Sequence, residues 1–203
     1  MSQDDGRDIA QRRRVIVGIS GASGAIYGVR LLEMLKRANI ETHLIVSRSA
    51  RMTLAYETDF KVEDVEALAT ETHSNQDLGA ACSSGSFKNL GMIIAPCSIK
   101  SMSEIASGVT ANLISRAADV ALKERRRVVL MLRETPLHLG HIESMAAVTR
   151  MGAIVYPPVP AFYARPQSLE EMVRHTLGRV LDLFDLEVGA VDRWSEDKRR
   201  VPL

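Results

Sequence analysis

The sequence predicts an α/β fold, a doubly wound parallel sheet with helices on both faces. Three observations lead there. Short aliphatic and β-branched runs recur without polar alternation, the pattern of strands buried on both faces. Segments with helical apolar spacing separate these runs. A glycine-rich loop joins the first run to the first helical segment.

Val15 to Ser20 reads as the first strand, and Ile26 to Lys36 as the first helix, with Val29, Leu32 and Leu35 on its apolar face. Thr42 to Ser47 reads as a second buried strand. Met92 to Ala95 reads as another, closed by Pro96. Asn112 to Arg126 has helical spacing, with Leu113, Ala117, Val120 and Ala121 on one side, and leads into the strand Val128 to Leu132. A helix over Leu139 to Met151 and a short strand over Ala153 to Tyr156 follow. Ser168 with Glu171 is a capping box that opens a last helix to Phe184. Phe60 to Asn89 is the least regular stretch, and Cys82-Ser83-Ser84-Gly85-Ser86 within it reads as a surface loop. One domain over residues 14–194 is expected, between tails at 1–13 and 195–203.

Composition narrows the functional classes. The 203 residues are 46% hydrophobic and 25% charged, enough for one sizeable core. A net charge of +1 points to neither nucleic acid nor an anionic membrane as partner. Cys82 and Cys97 lack metal-ligand spacing and are too few for a disulfide framework, so they read as free thiols of a reducing compartment. The polar N-terminus lacks the apolar stretch of a secretory signal, and no apolar run approaches the roughly 18 residues of a membrane helix. A cytoplasmic protein is the expectation.

Gly18-Ile-Ser-Gly21-Ala-Ser-Gly24 lies between the first strand and helix, where small residues let a phosphate approach backbone N–H groups. Tight strand-to-helix packing would use the same glycines. Where a dinucleotide site commonly carries an acidic residue, after the second strand, this chain has Ser47 and Arg48. Arg48 leaves room for a nicotinamide dinucleotide phosphate. No Tyr is followed four residues later by Lys, which argues against a short-chain dehydrogenase.

Pro96-Cys-Ser-Ile-Lys-Ser101 follows a strand, so Ser98 and Ser101 can meet a ligand there or merely cap a helix. Arg116 and Lys123 are spaced to share a helix face, and Arg133-Glu134 follows a buried strand; these charges can converge on one anion. His138 and His141 have the i, i+3 spacing of a metal pair but no supporting Cys. The prolines of Pro157 to Pro166 make a stiff segment around Tyr163. Trp194 either anchors the tail or covers an aromatic ligand.

In this order, Gly18 to Ala25, Glu57-Thr-Asp59, Pro96-Cys-Ser98, Arg116 to Arg126, Arg133-Glu-Thr-Pro136, Pro160-Ala-Phe-Tyr163 and Pro166-Gln-Ser168 resemble the UbiX-type flavin prenyltransferases of the HFCD flavoprotein superfamily. The resemblance runs from about Arg14 to Trp194. It implies a Rossmann-like, flavodoxin-like fold, with FMN held by Gly21, Ala22, Ser23, Ser47, Ser98, Ile99, Lys100, Ser101 and Arg133. It implies that Arg116, Lys123, Tyr163 and Arg179 bind the phosphate of dimethylallyl monophosphate. Lys123 and Glu134 would serve the departing phosphate, Glu134 by proton transfer, and Ser23 and Glu57 the later steps around the flavin. The prenyl group joins N5 of reduced FMN and closes onto C6, without a metal. A dodecamer with sites at subunit contacts, and transfer of the product to a UbiD-type decarboxylase, often for ubiquinone synthesis, complete the family expectation. Two other readings stand beside it: a phosphopantothenoylcysteine-decarboxylase-like flavoenzyme, against which Lys123, Arg133 and Glu134 argue, and a flavin carrier without turnover.

Overall fold

The structure, a computed structural model, describes residues 13–188. The expected tail at 1–13, apart from Arg13, the tail at 195–203 and Trp194 lie outside these residues. Two compact units are present, one ending at Pro158 and one beginning at Val159.

The first unit contains a six-stranded sheet in the order β3-β2-β1-β4-β5-β6. Its strands are β1 (Arg14–Ile19), β2 (Glu41–Val46), β3 (Glu71–Ser74), β4 (Gly91–Cys97), β5 (Arg127–Leu132) and β6 (Ile154–Val155), all paired in parallel. The central strands are aliphatic because helices cover both faces: every residue of β4 is buried. Helix α1 (Ala25–Arg37) packs on β1, β2 and β4. Helices α2 (Arg48–Glu57) and α3 (Val62–Glu66) follow β2; α4 (Ile99–Ser107) and α5 (Leu113–Lys123) join β4 to β5; α6 (Leu139–Arg150) joins β5 to β6. Winding runs from β1 toward β3 and then restarts at β4 in the opposite direction. Right-handed crossovers on the two sides of that reversal put helices on opposite faces. Cys82 and Cys97 are free and buried, and burial pushes their thiols up to about 11 and about 12.

Three features depart from the sequence reading. β4 runs through Pro96 to Cys97, because the β4–β5 register shifts between Ile94 and Cys97 and the missing proline N–H interrupts no regular ladder. The helix expected to reach Arg126 stops at Lys123 in a Schellman motif: Arg125 takes φ +58°, its N–H meets the Leu122 carbonyl at 3.0 Å, and the Arg126 N–H meets that of Ala121 at 2.8 Å. The irregular stretch after Phe60 contains α3 and β3.

The second unit is built on α7 (Leu169–Asp182), preceded by a 3-10 turn at Phe162–Ala164. The Ser168 hydroxyl caps α7 by accepting the Glu171 N–H at 3.1 Å, and Glu171 accepts the Gln167 N–H at 2.6 Å. That return bond is displaced one residue from a regular capping box. Val173, Leu177, Val180 and Leu181 form the buried stripe of α7.

Candidate active site

Reversal of the winding opens a crevice between the carboxyl ends of β1 and β4, the place where open α/β sheets bind ligands. Three helices begin at this edge. Gly24 precedes α1, Ser47 caps α2 by accepting the Ala50 N–H at 3.1 Å, and Ser98 caps α4 by accepting that of Ser101 at 3.2 Å. Helix N-termini carry partial positive charge and point N–H donors outward, which suits phosphate oxygens and ring carbonyls.

Two glycines make room beside them. A Cβ on Gly21 would lie 2.2 Å from the Ser49 hydroxyl, and Gly24 holds φ +99°, the left-handed region that favours glycine. Ala22, buried, and Ser23, exposed, complete this loop. Beneath it, Ser20 is 1% exposed; its hydroxyl donates to the Pro96 carbonyl at 2.9 Å and accepts the Ser98 N–H at 2.7 Å. The Arg133 N–H donates to the Cys97 carbonyl at 3.1 Å, tying the end of β5 to the same place.

Glu57, at the end of α2, reaches the start of α1. Its carboxylate accepts the N–H groups of Gly24 at 2.8 Å and Ala25 at 3.0 Å, and also bonds the Ser23 side chain. Partial burial pushes its pKa upward, but the bonds from Ser23, Gly24 and Ala25 and the nearby charge of Arg133 outweigh that and hold the carboxyl below its ordinary 4.5. The glycine loop was expected to offer these N–H groups to a phosphate; the chain's own carboxylate takes two of them instead. Tyr27, one turn into α1, has its phenol pKa raised by burial, against the pull of Arg133. Ser20, Ser49 and Tyr27 are the site residues that the sequence did not single out.

The remaining cofactor candidates divide. Ile99 packs on the core and Ser101 is buried, accepting from the Ser98 hydroxyl at 3.2 Å. The Lys100 side chain is 80% exposed and lies 3.4 Å from Glu104, which leaves its backbone as the part within the α4 N-terminus. Glu134 is exposed, and its carboxylate accepts the Thr135 N–H at 3.0 Å.

Of the residues expected to hold a substrate phosphate, Lys123 does not reach this crevice within one chain. α5 runs antiparallel to the strands, so Lys123, at its end, sits at the amino edge of the sheet while Arg133 follows β5 at the carboxyl edge. The six residues of β5 separate those edges by about 20 Å. Arg116, in the first turn of α5, pairs with Asp119 at 3.2 Å. Tyr163 and Arg179 belong to the second unit. The Tyr163 ring meets His175 edge-on with centroids 5.7 Å apart, and Arg179 pairs with Asp182 at 2.7 Å.

Among the described residues, one group has the makeup of a metal site, His43, Glu71 and His73. Its imidazoles meet end to end, with His43 Nδ1 2.9 Å from His73 Nε2, rings 11° from coplanar and centroids 5.2 Å apart. That is the geometry of an N–H···N bond, in which the lone pair faces the other ring and not a shared ion. His138 and His141 stack with centroids 3.5 Å apart, so their in-plane lone pairs do not converge either.

A parallel α/β sheet with this crevice is an architecture that binds nucleotides and flavins, and the Flavoprotein family model, which matches residues 4–181, makes the chain a flavoprotein. The chain is 54% identical over 187 residues to flavin prenyltransferase UbiX of Thauera aromatica, covering 92% of this chain and 96% of that one. Among solved structures it resembles AnUbiX (PadA1) in complex with FMN and dimethylallyl pyrophosphate, at TM-score 0.90 and 50% identity over 91% of this chain and 98% of that one. It likewise resembles a dodecameric FMN-dependent UbiX-like decarboxylase from Escherichia coli O157:H7, at TM-score 0.87 and 46% identity over 90% and 99%. The chain belongs to the UbiX-type flavin prenyltransferase family. No helix among its described residues is long and apolar enough to cross a membrane.

Proposed function

We propose that this protein transfers a dimethylallyl group from an allylic phosphate to reduced FMN. The observation that carries the reading is Glu57 at the crevice, a carboxylate bonded to the Ser23 side chain and to the Gly24 and Ala25 N–H groups and lying within the field of Arg133. The crevice fits FMN: the bare Gly21 backbone lets Ser49 of the first turn of α2 pack close against the loop, and the serine-capped N-termini of α2 and α4 border the crevice. Gly21, Ala22, Ser23, Ser47, the first turn of α4 and Arg133 would hold it. Reduced FMN, when bound, supplies N5 and then C6 as the atoms that bond the dimethylallyl group and close a fourth ring.

The chain's own residues handle charge and protons. As the allylic C–O bond breaks, its electron pair leaves with the phosphate, and Arg116, Lys123, Tyr163 and Arg179 stabilise the charge that develops. Glu134 gives the departing phosphate a proton. As the ring closes onto C6, the double bond of the dimethylallyl group would take up a proton, delivered by the phosphate just protonated, and Glu57 would accept the proton that C6 loses. The bonds from Ser23, Gly24 and Ala25, with the charge of Arg133, keep that carboxylate ionised beforehand. Dimethylallyl monophosphate is the donor by family resemblance, and the related AnUbiX holds dimethylallyl pyrophosphate.

A second copy of the chain completes the site. Lys123 and Arg133 stand at opposite edges of one sheet, so a single phosphate beside FMN needs Lys123 from another subunit. Assembly into a dodecamer, as in the relative from Escherichia coli O157:H7, supplies such contacts. The product then serves a UbiD-type decarboxylase, and the enzyme works in the cytoplasm. Anaerobic incubation with reduced FMN and each dimethylallyl phosphate, followed by mass analysis of the flavin, tests the reaction. A gain of one dimethylallyl group is expected; an unchanged flavin mass overturns the reading in favour of a carrier. An active monomer in light scattering overturns the shared site.

A further inference from the structure

Every cation assigned to the substrate phosphate on a helix of this chain is held by a carboxylate of the same segment. Arg116 Nη1 lies 3.2 Å from Asp119 Oδ2, Lys123 Nζ lies 2.5 Å from Glu124 Oε1, and Arg179 Nη1 lies 2.7 Å from Asp182 Oδ2. Fold stability gives little reason for the pattern. Within a single chain the three cations are exposed by 39%, 52% and 48%, and pairs in that setting add almost nothing to the folding of the chain.

Two of the carboxylates also stand where a helix disfavours them. Glu124 caps the C-terminus of α5 and Asp182 is the last residue of α7, positions at which the unpaired carbonyls already concentrate negative charge. The surroundings of Lys123 are nevertheless fitted to the pair. A Cβ on Gly85 would lie 2.4 Å from Glu124 Oε1 and 2.9 Å from Lys123 Nζ, so the absence of a side chain makes room for both. Arg126 pins that loop by donating to the Gly85 carbonyl at 2.6 Å and the Phe87 carbonyl at 2.7 Å. Lys123 in turn keeps the Glu124 carboxyl below its ordinary range, through a hydrogen bond and through its charge.

We propose that Asp119, Glu124 and Asp182 are resident counter-ions that compete with phosphate for Arg116, Lys123 and Arg179, with Glu124 the strongest competitor. The proposal rests on the prenyl-phosphate reading of those cations. Between turnovers each carboxylate holds its cation in a defined rotamer. An incoming phosphate must displace them, which weakens the binding of substrate and of released inorganic phosphate alike. Uniform weakening of this kind leaves the chemical step untouched and favours clearance of the product.

The test uses the full chain loaded with FMN, titrated calorimetrically with inorganic phosphate. Glu124→Gln keeps the size of the side chain and removes its charge. It is expected to lower the Kd for phosphate about threefold to fivefold, the range of an exposed ion pair, and to strengthen product inhibition by the same factor. Added to Lys123→Met, Glu124→Gln should bring no further gain, since the competition runs through that ammonium. Asp119→Asn should tighten phosphate by a smaller factor. A Kd that is unchanged or higher in Glu124→Gln means that the carboxylate positions Lys123, and overturns the proposal. A wild-type protein that binds no phosphate overturns it too. The mass assay for prenylated flavin is separate: if Glu124→Gln tightens phosphate while no prenylation occurs, the competition stands and the assigned reaction falls.

Discussion

At the carboxyl edge of the sheet, Glu57 is fixed by two backbone N–H groups from a different helix, and Ser20 and Arg133 join three strand ends through buried or backbone bonds. At the amino edge, Lys123 meets the carboxylate of the next residue, and both are exposed. The flavin half of the site is thus set by the fold of one chain. In the proposed function, the phosphate half is set by the exposed, ion-paired side chains of Arg116, Lys123 and Arg179 and is completed by another subunit. A cofactor that stays through the reaction suits the first arrangement, and a substrate that must enter and leave suits the second.

Mutations should separate the two halves. Glu134→Ala is expected to have the largest effect, lowering prenyl transfer by on the order of 10² to 10⁴ while FMN affinity stays near wild type. Flavin titration beside single-turnover kinetics checks it, and a matching loss of affinity would make Glu134 a support of the crevice. Lys123→Met should lower transfer by on the order of 10², with melting temperature and flavin binding retained, because the stem still packs and only the charge is lost. Arg is a poor replacement there, since its planar fork does not occupy the place of a compact ammonium. Wild-type rates in Lys123→Met at limiting and saturating substrate would remove the contrast between the halves.

Smaller effects belong to the rigid half. Gly21→Val drives a branched side chain into Ser49, and an overpacking cost of about 1–3 kcal/mol should weaken FMN by about fivefold to a hundredfold in a fluorescence titration. Undiminished affinity would show that the loop yields. Glu57 sets the acid limit. Its folded pKa lies below the ordinary 4.5, so its contribution to stability is present above that value and is lost as pH falls through the folded value. Thermal melts should therefore drop more steeply below about pH 4.5 in wild type than in Glu57→Gln, and parallel curves would assign the acid limb to other groups.

The aliphatic strands and the glycine loop were legible because burial on both faces leaves no polar residue in β1 after Arg14, in β4 or in the middle of β5. β3 was not, since Glu71-Thr-His-Ser contains no aliphatic residue and its one buried side chain is His73. α2 buries only Ala50 and Leu54, too few for a visible stripe. In the crevice, Ser47 and Ser98 stood out as polar residues at strand ends. Ser20 did not, because a serine that bridges two strand termini has the same local sequence as one that ends a strand. Family motifs named Lys123 and Arg133 together, and sequence spacing could not say that one sheet holds them at opposite edges.

Ser20 has a consequence for how the crevice moves. A loop at a strand end ordinarily opens on its own, independently of the sheet beneath it. Here the Ser98 N–H is held at 2.7 Å by a hydroxyl rooted at the end of β1, and that hydroxyl is itself bonded to Pro96 at 2.9 Å. The amide that begins the α4 turn is therefore expected to exchange with solvent as slowly as the strands, because it is tied to the ends of β1 and β4 together.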